Sequence, residues 1–418
     1  MFANRALSSL WIGAIAVFAL ASAGYAETTH QVPGDFETIN EALEAAVSGD
    51  TILVGPGVYK EALLFTEAKG DGVILKSTDG RATTSIAYPD EANVNEAVIS
   101  FQRVSNSTQV VGFTIDGRGI AKRGILANSD SKPALQDLLI DGCEYGVASH
   151  RTSAPYLRDI TIQNSRTSAL FISGGSADVK DCRFTKSEKF GIYASSSTDE
   201  IKLRNVRITD SGQVGLQATD AEFVFSGGAV INNGDSGIIV QYTSPTIRNV
   251  TIDTHTNVGI VLEESSARIA GCKILNNEYG SLVSIAGDPT FTNCTFENNT
   301  TYHIGIEGEA GATIGGSLGA ACKFIGEPEF SLSTSSSGDV NATHNYWGFP
   351  CTPKKAFQRT GEGKLKRKPW AAPNLKRVFE DCAAARKYHK KYENGKLDDD
   401  GNPIKKQASA GGGGNTAG

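Results

Sequence analysis

An aliphatic or aromatic residue closes a short apolar-polar alternation about every 22 residues through the middle of this 418-residue chain. It stands at Ile115, Ile140, Ile162, Phe184, Ile208, Ile231, Ile252, Ile274, Phe296 and Phe324, at intervals of 25, 22, 22, 24, 23, 21, 22, 22 and 28 residues. A fixed period between about 20 and 50 residues marks stacked units, each too small to bury its own apolar face. Inside one unit, Ser244 to Glu264, the run Ile247 to Ile252 alternates with period two, a polar turn follows, and Gly259-Ile260-Val261-Leu262 alternates again. Period two is the signature of strands, not helices. The second strand returns as Gly124-Ile125, Gly146-Val147, Gly191-Ile192, Gly215-Leu216 and Gly237-Ile238. A leucine-rich repeat would show a Leu-x-x-Leu-x-Leu pattern, and a propeller blade needs about 40 residues. Neither fits, and an all-β solenoid does.

With these repeats the chain resembles the right-handed parallel β-helix proteins of the pectate-lyase-like group, over roughly residues 35–350. That resemblance implies a single-stranded right-handed parallel β-helix. At about 4.8 Å per coil, about 12 or 13 coils make a rod on the order of 60 Å long. Earlier coils are marked by Ile52-Leu53-Val54, Ile74-Leu75 and Val98-Ile99. Thr38 with Glu41 forms a capping box that opens an amphipathic helix carrying Ile39, Leu43, Ala46 and Val47, a lid for the open end of the rod. Residues 48–61 resemble the entry segment of many β-helix proteins, pectin esterases included. Asn345-Tyr346-Trp347-Gly348 and Pro369-Trp370 resemble the exit segment of exported bacterial β-helix repeat proteins.

The first 26 residues read as a secretory leader: Arg5 precedes an apolar run from Leu10 to Ala21, and Gly24-Tyr25-Ala26 supplies small residues for cleavage after Ala26. The run is too short to remain as a transmembrane anchor. A secreted or periplasmic protein is expected, with a β-helix over 27–350, a basic C-terminal extension over 351–394 and a disordered tail over 395–418. Residues 351–391 hold thirteen Lys or Arg against three acids, a net +10, which leaves −16 for the rest of a chain at −6. Within them Leu375 to Lys391 reads as a helix. Such a region either docks on the rod, on an anionic wall polymer or on lipid headgroups, or is simply a solvated basic helix. Asp398-Asp399-Asp400-Gly401-Asn402 is no calcium loop, because Lys396 takes the first ligand position.

Cys182, Cys272, Cys294 and Cys322 occupy the slot that holds Phe113, Leu138, Ile160, Val206 and Val250 in other coils, so they read as buried small hydrophobes. Cys272 and Cys294 stand one coil apart, within bonding reach, but their parallel side-chain vectors suit a disulfide poorly. Cys351 and Cys382 lie outside the repeats and form the candidate disulfide. No metal-ligand spacing is present. Asn164, Asn233, Asn276 and Asn298 follow the closing residue by two and are expected to stack their amides inside a turn. The Asn-x-Thr matches at Asn249 and Asn293 read as accidents of strand register.

In the enzymes this fold resembles, the substrate groove runs along the strand that corresponds here to the Gly-Ile segments. Alternation turns Ile125, Val147, Ile192 and Ile260 inward and leaves two outward columns. One holds Asn128, His150, Ser173, Ser195, Thr219, Gln241, Glu263, Ser284 and Glu307; the other holds Leu126, Ala148, Phe171, Tyr193, Gln217, Ile239, Val261, Leu282 and Gly305. A calcium-dependent lyase needs clustered carboxylates and a base beside the uronate. A hydrolase needs two carboxylates about 5 to 10 Å apart. The only acids of this face are Glu263 and Glu307, and His150 and Glu263 are about 24 Å apart, five strand spacings. The Asn-Thr-Asp and Gly-His-Gly strings of polygalacturonases, the Leu-Gly-Arg-Pro-Trp of pectin esterases and the Asp-Pro-His of alginate epimerases are absent.

One cluster remains: His150, Arg151, Phe171 and Tyr193 on three consecutive coils, with Arg123 one coil earlier. It combines a base, cations and a stacking surface for an acidic sugar. His150, Tyr193 and Arg151 are the catalytic candidates; Arg123, Asn128, Phe171, Gln217, Gln241 and Glu263 are the substrate-binding ones. The plain alternative is that exposed polar residues decorate any rod. No cofactor is evident, and calcium enters only through the resemblance. Two functions are therefore carried forward. One is binding or processing of an extracellular or envelope polysaccharide, acidic ones included, with lyase or uronate-epimerase chemistry if the rod is catalytic. The other is a non-catalytic surface or periplasmic scaffold or adhesion-type protein. A nucleic-acid partner is not expected, and the sequence leaves the oligomeric state open.

Overall fold

A computed structural model describes residues 27–90, 97–348, 356–398 and 402–404. The expected leader at 1–26, Cys351 and most of the tail past 395 lie outside the described residues. The chain winds into a parallel β-solenoid whose strands fall into a broad sheet of 23 strands and a narrow sheet of 13. Each middle coil gives one strand to the narrow sheet and two short runs to the broad one. In the coil after Ser168–Ser173, for example, Asp178–Lys180 and Arg183–Thr185 are joined through Asp181. The narrow-sheet strands count thirteen coils, and the pairing of Thr29–Val32 with Thr51–Val54 adds a first one, about 14 in all.

Helix α1, Ile39–Ala45, falls between those first two broad-sheet strands, where later coils carry a narrow-sheet strand. Its capping box is formed. The Thr38 side chain accepts from the Glu41 N–H at 3.1 Å, and the Glu41 carboxylate accepts from the Thr38 N–H at 3.1 Å. Ile39, Ala42 and Leu43 are buried against the core.

Ile140, Ile162, Phe184, Ile208, Val230, Ile252, Ile274, Phe296 and Phe324 stand in register as one internal column. None is more than 1% exposed, so each contributes the full burial term, about 1.5–3 kcal/mol. Val230 takes the place expected of Ile231, which faces outward. The inward slot before it is filled by Gly228, which pairs with Val206 and offers no apolar side chain to mark the register. A Cβ there would meet the Val206 carbonyl oxygen at 2.1 Å, so only glycine fits.

The amide ladder is also shifted by one residue. Asn164, Asn276 and Asn298, with Asn232, hold φ of 53 to 54° at exposed turn positions, a left-handed conformation that Asn tolerates. The inward position is the next one, where Ser165, Ser187, Ser211, Asn233, His255, Asn277 and Asn299 are buried. Of the four expected asparagines, only Asn233 belongs to this internal row. Asn233 Oδ1 accepts from the Ser211 N–H at 2.9 Å, and His255 Nδ1 from the Asn233 N–H at 3.2 Å. Asn277 Oδ1 accepts from the His255 N–H at 3.0 Å, and Asn299 Oδ1 from the Asn277 N–H at 3.1 Å. Backbone donors that no strand partner reaches are thereby satisfied inside the rod. Asn249 and Asn293, each at φ 54°, open the two-residue turn between the two broad-sheet runs.

Cys143, Cys182, Cys272, Cys294 and Cys322 are free and buried, the last four in the inward slot. Cys382 is disulfide-bonded. Strand pairing continues past residue 350: Phe357–Arg359 joins the narrow sheet and Leu365–Lys366 the broad one. The exit segment closes the core with Trp347 stacked on Phe324, 4.2 Å between centroids. Helix α2 spans Cys382–Glu393, not Leu375 to Lys391. Residues Val378–Phe379 pair with Trp370–Ala371, and only at Asp381, whose carboxylate accepts from the Ala383 N–H at 2.8 Å, does a helix start. Among the described residues no helix is long and apolar enough to cross a membrane.

Candidate functional site

Strand register on the narrow sheet fixes which side chains share a surface. His150 pairs with Ser173, and the column runs on through Ser195, Thr219, Gln241, Glu263 and Ser284. Beside it Phe171 pairs with Tyr193 and Tyr193 with Gln217. Asn128 closes its strand one coil before His150. His150 and Glu263 therefore remain about 24 Å apart, five strand spacings along the column. At the distal end Thr219, Gln241 and Glu263 form a chain of hydrogen bonds, 2.9 Å from the Thr219 hydroxyl to Gln241 and 2.6 Å from the Gln241 amide to Glu263.

The proximal end is aromatic. Phe171 stacks on Tyr193, Tyr145 lies 4.7 Å and His150 5.4 Å from Phe171 between centroids, and Phe190 lies 5.2 Å from Tyr193. Sequence reasoning missed Tyr145 and Phe190. Each immediately precedes the glycine that opens a narrow-sheet strand, and register places Arg123, Tyr145, Ser168 and Phe190 in one column. Arg123 is thus the direct neighbour of Tyr145. Arg151 begins the turn after the strand, exposed and at φ 48°, and meets the cluster through its charge.

His150 is half-buried. Burial, then the positive charges of Arg123 and Arg151, hold its imidazole below the ordinary pKa, opposed by a backbone hydrogen bond at Ser173. Its Nε2 is buried without a hydrogen-bond partner. At neutral pH the ring is an uncharged base near two cations and against the Phe171 ring. Among the described residues no three His, Cys, Asp or Glu gather as a metal site.

The broad sheet carries a feature that the sequence reading did not address. A groove of about 500 Å³ runs between its two strand runs, lined by Asp159, Asp181, Arg183, Asn205 and Arg207, with Gly228 and Ala229 at its floor. The signal was present as Lys and Arg at outward positions of the alternating runs.

No curated protein matches this sequence. Among solved structures, the A-module of the Azotobacter vinelandii mannuronan C-5 epimerase AlgE6 is 15% identical and covers 78% of this chain and 93% of its own, with a TM-score of 0.55. The AlgE4 A-module of the same organism is 15% identical over 78% of this chain and 91% of its own, TM-score 0.44. The catalytic domain of a GH87 α-1,3-glucanase is 10% identical over 81% of this chain and 67% of its own, TM-score 0.46. The model of the right-handed beta helix region matches twice, over residues 65–205 and 196–346. With the coils, the ladder and the two sheets in register across that span, the chain belongs to the right-handed β-helix family.

Proposed function

We propose that this β-helix binds a polysaccharide along its narrow sheet, with Tyr145, Phe171 and Tyr193 as the stacking surface. The observation that carries the reading is the continuous run of rings, Tyr145 on Phe171 and Phe171 on Tyr193, presented outward from three consecutive coils. Stacked strands hold these rings at fixed intervals, so little ordering entropy is lost when a chain of sugar rings lies on them. The hydrogen-bonding row of Thr219, Gln241 and Glu263 extends the same surface toward the distal coils. A mannuronan C-5 epimerase module shares the fold, which supports a polymeric sugar as ligand. Export through the N-terminal leader would bring the rod to extracellular or envelope polymer.

His150 favours a second reading, in which the bound polymer is also turned over. A neutral, half-buried imidazole beside Arg123 and Arg151 can take a proton from carbon next to a uronate carboxylate while the cations offset the charge that develops. The test is a panel of alginate, polygalacturonate and neutral glucans, assayed with the full chain and with Phe171→Ala/Tyr193→Ala. Binding that falls by about tenfold or more in the double variant supports the stacking surface. Equal binding by both proteins removes it. Unsaturated or epimerised products that vanish in His150→Ala support turnover, and a panel without product withdraws it.

A further inference from the structure

The two lateral faces of the rod differ in charge. Over the six coils from Tyr145 to Leu275, the narrow-sheet strands carry one ionised side chain, Glu263. The broad-sheet runs of the same coils, residues 156–163, 178–185, 201–209, 223–231, 246–253 and 268–275, hold nine Lys or Arg against four Asp, a net +5 on a chain of −6. The cations are stacked on one another. Arg158 pairs in register with Lys180 and Lys180 with Arg204, while across the turn Arg183 pairs with Arg207.

Like charges on directly paired strand positions are unfavourable. Part of that cost is met internally: Asp178 accepts from Arg158 at 2.9 Å and also pairs with Arg204, and Lys180 lies 3.7 Å from Asp181. Arg183 and Arg207 are exposed and make no ion pair among the described residues. Beside them the next coil falls away. Arg207 pairs with Ala229 and Arg204 with Ser226, and Gly227 carries no side chain, so Arg183 and Arg207, on paired positions of adjacent coils, border a recess lined by Gly228 and Ala229. Asp181, tied to the Asn205 amide at 2.7 Å, supplies a fixed acceptor on the recess wall.

We infer that this groove is a glycan site separate from the aromatic face, and that its ligand is a polyuronate. Arg183 and Arg207 bind carboxylates through their planar forks, Asp181 and Asp159 accept from sugar hydroxyls, and the recess receives a ring. The coil repeat of about 4.8 Å is comparable to the length of one pyranose unit, so successive uronates meet successive coils. Carboxylates placed there relieve the repulsion between the paired cations.

The experiment measures binding of a short oligomannuronate to the full chain by calorimetry, against Arg183→Gln/Arg207→Gln and, separately, Phe171→Ala/Tyr193→Ala. The groove variant is expected to lose about tenfold or more in affinity, with a shallower dependence on salt, at a thermal stability equal to or above that of the parent, since the paired like charges are gone. Both positions are exposed, and Gln keeps their stems. Neutral glucan binding should not change in that variant, which separates the groove from the aromatic face. Oligomannuronate affinity that is unchanged in the groove variant overturns the inference. So does a DNA oligomer or sulfated glycan of equal charge that binds as tightly as the uronate and is lost in the same variant. Ala229→Lys, which fills the recess without removing a cation, should also abolish uronate binding; retained binding overturns the recess as the ring's position.

Discussion

Phe171 and Tyr193 lie ring over ring on adjacent coils, centroids 5.7 Å apart and planes within 9° of parallel. Neither contributes to the core, which is closed beneath them by Leu170, Ile172, Ile192 and Ala194. Their pairing is worth about 0.5–1.5 kcal/mol beyond burial. Replacing both with Ala should lower stability by that pair term and by the burial of two half-buried rings, without opening the core, while a stacked ligand loses about tenfold or more in affinity. Thermal melts run beside glycan binding will separate the two effects.

His255 and His303 make the rod acid-sensitive. Each is buried, and burial lowers its pKa from 6.5 to about 4. Between pH 6.5 and 4 the unfolded chain takes up protons that the folded chain refuses, so stability falls as pH falls through that window and is unaffected by these groups above it. The loss approaches about 3 kcal/mol per histidine. Denaturant titrations at pH 7, 5.5 and 4 should show the decline, and His255→Asn should remove roughly half of it, leaving the share of His303.

Asn276 and Asn277 are adjacent and should respond oppositely to substitution. Asn277 accepts from the buried His255 N–H at 3.0 Å, so Asn277→Ala orphans that donor and should cost about 1–3 kcal/mol. Asn276 is exposed at φ 54°, where Asn276→Gly should be nearly neutral. Chemical denaturation of the two variants will test this; equal losses would mean that the internal row bears no more than the external one.

The five free cysteines should resist alkylation in the native protein. All are buried, and burial pushes the thiol of Cys182 up to about 11 and that of Cys143 up to about 12. Thiolate is the reactive form, so labelling should be negligible at neutral pH and complete only on unfolding. Mass spectrometry of native and denatured samples after alkylation will show which holds.

The coil, the two outward columns of the narrow sheet and the cysteine slot were legible because period two and period 22 are imposed by strand geometry. Register failed where its marker was missing. Gly228 occupies an inward slot without an apolar side chain, and the count slid from Val230 to Ile231. The ladder was misplaced because Asn suits both the left-handed turn position and the buried one beside it, and Asn232-Asn233, Asn276-Asn277 and Asn298-Asn299 fill both. Tyr145 and Phe190 were missed because the pairing skips the glycine that follows each, so alternation counted from Val147 or Ile192 does not place them on the outward face. The basic groove depends on which residues meet across a turn, information that pairing within one strand does not contain.

The internal row of Asn233, His255, Asn277 and Asn299 is one-directional: in each case a side chain serves the backbone of the coil before it. Each of these four turns is finished by a residue that the ribosome delivers about 22 residues later, so the rod growing through this stretch trails one incomplete turn at its leading edge. Near the exit Asn345 works in the same sense at a different place in the coil: its Oδ1 accepts from the Cys322 N–H of the coil before at 2.9 Å and its Nδ2 donates to the Ile314 and Ala342 carbonyls at 2.8 and 2.9 Å. The polarity means that premature termination and loss of the leading coils are not equivalent injuries. Shortening from the C-terminal side strips acceptors from backbone N–H groups of the last coil, whereas shortening from the N-terminal side leaves side-chain acceptors without their donors.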